Sequence, residues 1–101
     1  MVLFSGARGT DRLKLALAAY NMGPGHVQDA QMLAQALGYD PYRWDGQVEA
    51  VLPLLEDPWF ARSLPSGYAR AHQTLRYVDR VLERFEQYQQ IAPLQVSSSE
   101  K

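Results

Sequence analysis

The stretch best suited to chemistry is Ala18-Ala19-Tyr20-Asn21-Met22-Gly23-Pro24-Gly25, where an apolar run meets a Gly-Pro-Gly turn. A carboxamide both donates and accepts hydrogen bonds, which suits sugar hydroxyls and N-acetyl groups. A tyrosine adds a ring face and a hydroxyl. Tyr20 and Asn21 would offer both from one rigid edge, and a turn at Gly23 would let a ligand approach the backbone. The same residues also make an ordinary helix C-terminus with Asn in the left-handed position.

Other chemistries are less well supplied. With no cysteine, disulfides, thiolate nucleophiles and Cys-based metal sites are excluded. His26 and His72 are too few for zinc, which takes three or four ligands, so neither a metal nor a cofactor is expected. Gly6-Ala7-Arg8-Gly9 lacks the preceding strand and the Lys-Ser/Thr pair of a phosphate loop. Trp44 and Trp59-Phe60 could stack on sugar rings or form the edge of a core. The glutamates are Glu49, Glu56, Glu83, Glu86 and Glu100. Glu83 and Glu86 share a polar helix face with Arg80 and Arg84 nearby, while Glu49 and Glu56 flank a helix and read as exposed.

The elements that must position these residues read as helices. Thr10 or Asp11 can cap a first helix in which Leu13, Ala16, Leu17 and Tyr20 recur at the helical period. Its opposite face, Leu15, Ala18 and Ala19, is apolar too, so this helix needs enclosure on several sides, or a wall is missing. A second helix spans His26 to Leu37, with a stripe of Val27, Ala30, Leu33, Ala34 and Leu37; Gln28, Asp29, Gln31 and Gln35 lie away from it, and Gly38 can end it. Tyr39 to Trp44 reads as a loop. Asp45 can cap a third helix through Val48, Val51, Leu52 and Leu55, kinked or ended by Pro53. Asp57-Pro58 opens one or two turns, and the longest helix starts near Ser66 to Tyr68. In it Ala71, Leu75, Val78, Leu82 and Phe85 form a packing seam. The expectation is an all-α chain of about five helices: a loose lead-in at 1–10, a folded unit at 11–90 and a polar tail at 91–101.

Bulk properties narrow the function. The chain has 101 residues, enough for one small domain, and 47% of them are hydrophobic, enough for a modest core. Ten Lys and Arg against eleven Asp and Glu give a formal charge of -1. That balance argues against nucleic acid as a partner, including a helix-turn-helix reading of the two helices around Gly23-Pro24-Gly25. The uncharged run from Leu15 to Met22 is too short to span a bilayer, and the apolar part of Met1 to Arg8 is too short for a signal peptide.

The segment Leu17-Ala18-Ala19-Tyr20-Asn21-Met22-Gly23-Pro24-Gly25-His26-Val27 resembles the alanine-tyrosine-asparagine-x-glycine motif of lytic murein transglycosylases. The likeness continues in register through Asp29-Ala30, Trp44, Leu52-Pro53-Leu54-Leu55, Gly67-Tyr68-Ala69-Arg70-Ala71-His72 and Tyr77-Val78, covering roughly Asp11 to Tyr88. The resemblance implies the C-terminal part of a goose-lysozyme-like catalytic domain that acts on peptidoglycan glycan strands in the bacterial cell envelope. In that family a glutamate protonates the glycosidic oxygen, then helps deprotonate the muramoyl 6-hydroxyl. That hydroxyl closes on the anomeric carbon, leaving a 1,6-anhydro end. The family's Glu-Ser and Gly-Leu-Met-Gln motifs do not occur before Asp11, so no catalytic acid is carried over and the chain alone is expected to be inactive. Tyr20, Asn21, Gly23 and Tyr77 are carried over as substrate-facing residues, with Tyr77 matching a tyrosine that approaches the catalytic carboxyl. Arg70 reads as structural, closing a helix N-terminal region. A truncated domain would leave the first helix with an uncovered face, open to the missing N-terminal half or to self-association. The alternative is a non-catalytic glycan-binding or helix-interaction module.

Overall fold

The structure is a computed structural model that describes the backbone of residues 6–99 and the side chains of residues 6–90. Residues 1–5 of the lead-in and residues 100–101 of the tail lie outside the described residues. Among the described residues every regular element is helical. The order is α1 (Gly9–Met22), α2 (Pro24–Ala36), a distorted turn (Trp44–Val48), α3 (Glu49–Val51), a 3-10 turn (Leu52–Glu56), α4 (Pro58–Ala61) and α5 (Ala71–Ser99).

The start of α1 differs from expectation. Arg8 occupies the cap position in an extended conformation, and no side chain caps the helix. Asp11 is used elsewhere: its carboxylate accepts the backbone N–H of Trp44 at 2.9 Å and lies 3.9 Å from the Arg43 guanidinium. It thus ties the first helix to the turn that buries Trp44. The sequence left both faces of α1 apolar, and the structure encloses one of them. Leu15 and Ala18 are fully buried, whereas Leu13 is 36% and Tyr20 83% exposed. Both faces are apolar, so periodicity alone could not choose between them. The contacts of α1 with α2 and α5 do choose, and they leave the Leu13–Tyr20 edge outward.

Gly23 separates α1 from α2 with φ +99° and ψ 143°, a conformation open to glycine and strained for other residues. Pro24 follows at the first helical position of α2, where its missing N–H costs nothing. Val27, Ala30 and Ala34 are buried as the stripe requires. Asp29 and Gln31, expected to face away, are buried as well. Loops fold over that side: the Asp29 carboxylate accepts the backbone N–H of Ser66 at 2.7 Å, and Gln31 donates to the Pro41 carbonyl at 2.9 Å.

The third helix is broken more than Pro53 alone requires. Asp45 and Gly46 have non-helical backbone angles inside the Trp44–Val48 turn, and the chain tightens to 3-10 geometry from Leu52. Asp45 pairs with Lys14 at 2.9 Å instead of capping, while Glu49 accepts the Gly46 N–H at 3.1 Å. Asp57 does cap α4, accepting the Trp59 N–H at 2.9 Å. The final helix starts at Ala71, a few residues later than expected, because Gly67 has φ +75° and the Ala69 N–H is held by the Leu55 carbonyl at 3.1 Å. Past Gln90 its backbone remains helical to Ser99.

One core joins all of this. Leu15 and Ala18 of α1, Val27, Ala30 and Ala34 of α2, Trp44, Val48, Val51, Leu52 and Leu55 of the central turns, and Ala71 and Val78 of α5 form a single buried cluster. Trp44 is 1% exposed and is therefore a core residue with no face to offer a ligand.

Candidate functional site

The antiparallel crossing of α1 and α5 brings the expected site residues together. Two contacts define it, stepping back along α1 as they step forward along α5. Asn21 Oδ1 accepts a hydrogen bond from Thr74 Oγ1 at 2.8 Å, and the Tyr20 and Tyr77 rings stack with centroids 6.5 Å apart and planes 27° apart. Tyr20 is open to solvent, and Tyr77 is partly buried against the core. Gly23 forms the turn behind them.

A cleft of about 450 Å³ opens beside this pair, lined by Asn21, Met22, His26, Tyr68, Ala69, Arg70, Gln73 and Thr74. Three helix ends meet there: the C-terminus of α1 and the N-termini of α2 and α5. Thr74 is 1% exposed, and its hydroxyl holds the Asn21 amide by donating to Oδ1. Thr74 falls at helical spacing with Ala71 and Val78. That spacing is the signal for its burial in the sequence, set against its polar side chain. His26 Nδ1 is buried without a hydrogen-bond partner among the described residues.

Among the described residues no carboxylate lines the cleft. Asp29 is committed to Ser66, Glu49 to Gly46 and Asp11 to Trp44. Glu83 and Glu86 are exposed on the distal part of α5. Glu56, expected to be exposed, is partly buried and caps the first turn of α5. It accepts the His72 backbone N–H at 2.8 Å and pairs with His72 Nδ1 at 2.7 Å. The backbone N–H first, and the ring second, hold its carboxyl below the ordinary value of 4.5. Glu56 therefore closes the N-terminus of α5, the role assigned in the sequence to Arg70. Arg70 itself is exposed and makes no ion pair with any described residue. The arrangement offers a ring face and hydrogen-bond donors, and among the described residues no carboxyl group lies in it.

A second cleft, about 310 Å³, lies on the far side of α2 between the Pro41-Tyr42 loop and Pro65-Ser66. Its acid, Asp29, is the carboxylate already bonded to Ser66. Among the described residues no group of three His, Cys, Asp or Glu could hold a metal ion, and no helix is long and apolar enough to cross a membrane.

No protein-family model matches the chain. Individual relatives do. It is 52% identical over 75 residues to a membrane-bound lytic murein transglycosylase F of Maricaulis maris, which is 74% of this chain and 16% of the relative. It is 45% identical over 75 residues to the protein of that name from Desulfosudis oleivorans, again 74% of this chain and 16% of the relative. The Cellvibrio japonicus protein of that name is 42% identical over 74 residues, 73% of this chain and 15% of the relative. The chain thus spans about one sixth of the length of these curated relatives. Matches of this strength along three quarters of its residues, on an all-helical fold, make the chain a homologue of one segment of the membrane-bound lytic murein transglycosylase F proteins.

Proposed function

We propose that this chain is the C-terminal part of a peptidoglycan lytic transglycosylase domain, and that it forms the substrate-facing wall of the cleft without its proton donor. The intact domain would cleave the MurNAc-GlcNAc bond without water, giving 1,6-anhydro-muropeptides in the bacterial cell envelope. Tyr20 and Asn21 would contact the glycan beside the scissile bond, Gly23 would hold the turn that exposes them, and Tyr77 would orient the catalytic carboxyl through its phenol. Neither phenol hydroxyl has a partner among the described residues, so both are free for such a bond. The acid would come from outside these 101 residues, packed on the outward edge of α1 where Leu13 and Tyr20 are exposed. A second copy of the chain could occupy that edge in its place.

The observation that carries this reading is the paired Tyr20–Tyr77 and Asn21–Thr74 contact beside a cleft that no carboxylate of the described residues lines. A carboxyl that protonates a glycosidic oxygen must sit within hydrogen-bond reach in a partly apolar site that keeps it protonated. Every buried or half-buried acid described here is engaged elsewhere. The test is incubation of the purified chain with peptidoglycan sacculi, with chromatography of the soluble products. No anhydro-muropeptides are expected, while co-sedimentation with insoluble murein should persist and weaken for Tyr20→Ala and Asn21→Ala. Release of anhydro-muropeptides by the pure chain would overturn the missing donor; absence of murein binding would overturn the glycan-facing wall.

A further inference from the structure

One side of the cleft is backbone without regular structure. Residues 67–70 connect the turns after α4 to the start of α5. In this segment Tyr68 and Arg70 are exposed and line the cleft with Asn21 and Thr74, whereas Ala69 is buried. A segment outside helix and sheet needs other tethers if its side chains are to keep one place. Two are present. The Ala69 N–H donates to the Leu55 carbonyl at 3.1 Å. Ahead of it, the Ser66 N–H donates to Oδ2 of Asp29 at 2.7 Å, across 37 positions of sequence.

The second tether uses a residue that is costly to use. Asp29 carries a carboxylate and is only 2% exposed. Burying such a group is unfavourable, and a charge-assisted bond from a backbone N–H offsets part of that cost. The contact is also close. A methyl group at Gly25, one turn before Asp29, would lie 2.5 Å from the Ser66 hydroxyl oxygen. Ser66 and Asp29 line the far cleft, and Tyr68 and Arg70 line the near one. The bond therefore sits between the two clefts and anchors the strip of chain that joins them.

We propose that Asp29 is a positioning residue for the near cleft: acting through Ser66, it sets where Tyr68 and Arg70 stand relative to Asn21. This rests on the reading of that cleft as a glycan-facing wall. The place of the acceptor oxygen does the positioning, and its charge does not. A carboxamide at position 29 keeps an oxygen in the same place. A side chain one methylene longer keeps the charge and moves the oxygen.

The test compares the whole chain with Asp29→Asn, Asp29→Glu and Asp29→Ala. Amide NMR reads residues 66–70, and co-sedimentation with insoluble murein reads binding. Urea midpoints are measured alongside, with Val48→Ala as a core variant outside this segment. Asp29→Asn should leave the Tyr68 and Arg70 resonances, and binding, close to wild type. Asp29→Glu and Asp29→Ala should shift those resonances and weaken binding roughly ten-fold, the scale of a lost hydrogen bond to a charged group. Val48→Ala should lower the midpoint and leave binding by the folded chain unchanged. Resonances that stay in place in Asp29→Glu and Asp29→Ala, or an Asp29→Asn that behaves like Asp29→Ala, overturn the positioning role. Wild-type binding that neither Asp29→Glu nor Asp29→Ala weakens overturns it too, and leaves the glycan-facing wall standing. Where the wild type itself does not bind murein, the wall falls, and the resonances of residues 68 and 70 still decide for or against Asp29. Should Asp29→Ala fail to fold, the contrast between Asp29→Asn and Asp29→Glu decides alone.

Discussion

Glu56 links a side chain to the stability of the whole chain. Its carboxylate takes the first-turn N–H of α5 and the His72 ring, so the native state favours the ionised form and holds the carboxyl below its ordinary value. A carboxyl depressed in the folded state adds stability above its unfolded pKa, and that stability is lost as pH falls through the folded pKa. Denaturant midpoints should therefore drop as the chain is acidified from pH 5 towards pH 3. Glu56→Gln should lower the midpoint at pH 7 and flatten the acid limb. A variant with the same acid limb as the wild type would mean that other carboxylates carry the effect. Little of this was legible in the residues alone. Glu56 and His72 lie sixteen positions apart on separate elements, and only the bend at Gly67, with Ala69 tied to Leu55, brings them together. By contrast, Tyr20 and Asn21 stood out because a glycine turn in the local sequence determines where they point.

At the scale of elements, helix positions were readable and helix faces less so. Gly23-Pro24 divides α1 from α2 as glycine and proline chemistry demands, and Asp57-Pro58 opens α4. The inner face of α1 was not readable, because Leu13, Leu15, Ala16, Leu17 and Ala18 offer apolar groups all round. On α2 the buried Asp29 and Gln31 defeat a simple polar-out rule, since the loops that satisfy them come from residues 41 and 66. The orientation of α1 can be tested by a pair of substitutions. Leu15→Ala empties a fully buried site and should cost about 2–5 kcal/mol. Leu13→Ala trims a residue at the surface and should cost on the order of 0.5 kcal/mol. Urea unfolding of both variants reads the difference. A larger loss for Leu13→Ala would put the Leu13 face, not the Leu15 face, against the core.

For the molecule as a whole, the single core determines where cooperative structure ends. A chain of this size is held by roughly 5–15 kcal/mol, and here that derives from one cluster whose last member on α5 is Val78, with Leu82 packed partly against it. Beyond Leu82 every described side chain is exposed, including Phe85 at 46% and Tyr88 at 64%. The long axis of the molecule, 59 Å against 25 and 22 Å, follows from α5 outrunning α1. An isolated helical stretch is marginal in water, so residues 83–90 should open without unfolding the core. Amide hydrogen exchange should show residues 74–82 protected to the level of global unfolding and residues 83–90 exchanging at least about 100-fold faster. The comparison should be repeated across protein concentration. Fast exchange at every concentration places the end of the cooperative unit at Leu82. Protection of 83–90 that rises with concentration, and disappears in Phe85→Lys, shows instead that a second copy covers this stretch of α5. Equal protection along α5 in a dilute monomer would break the link between burial in this core and cooperative stability.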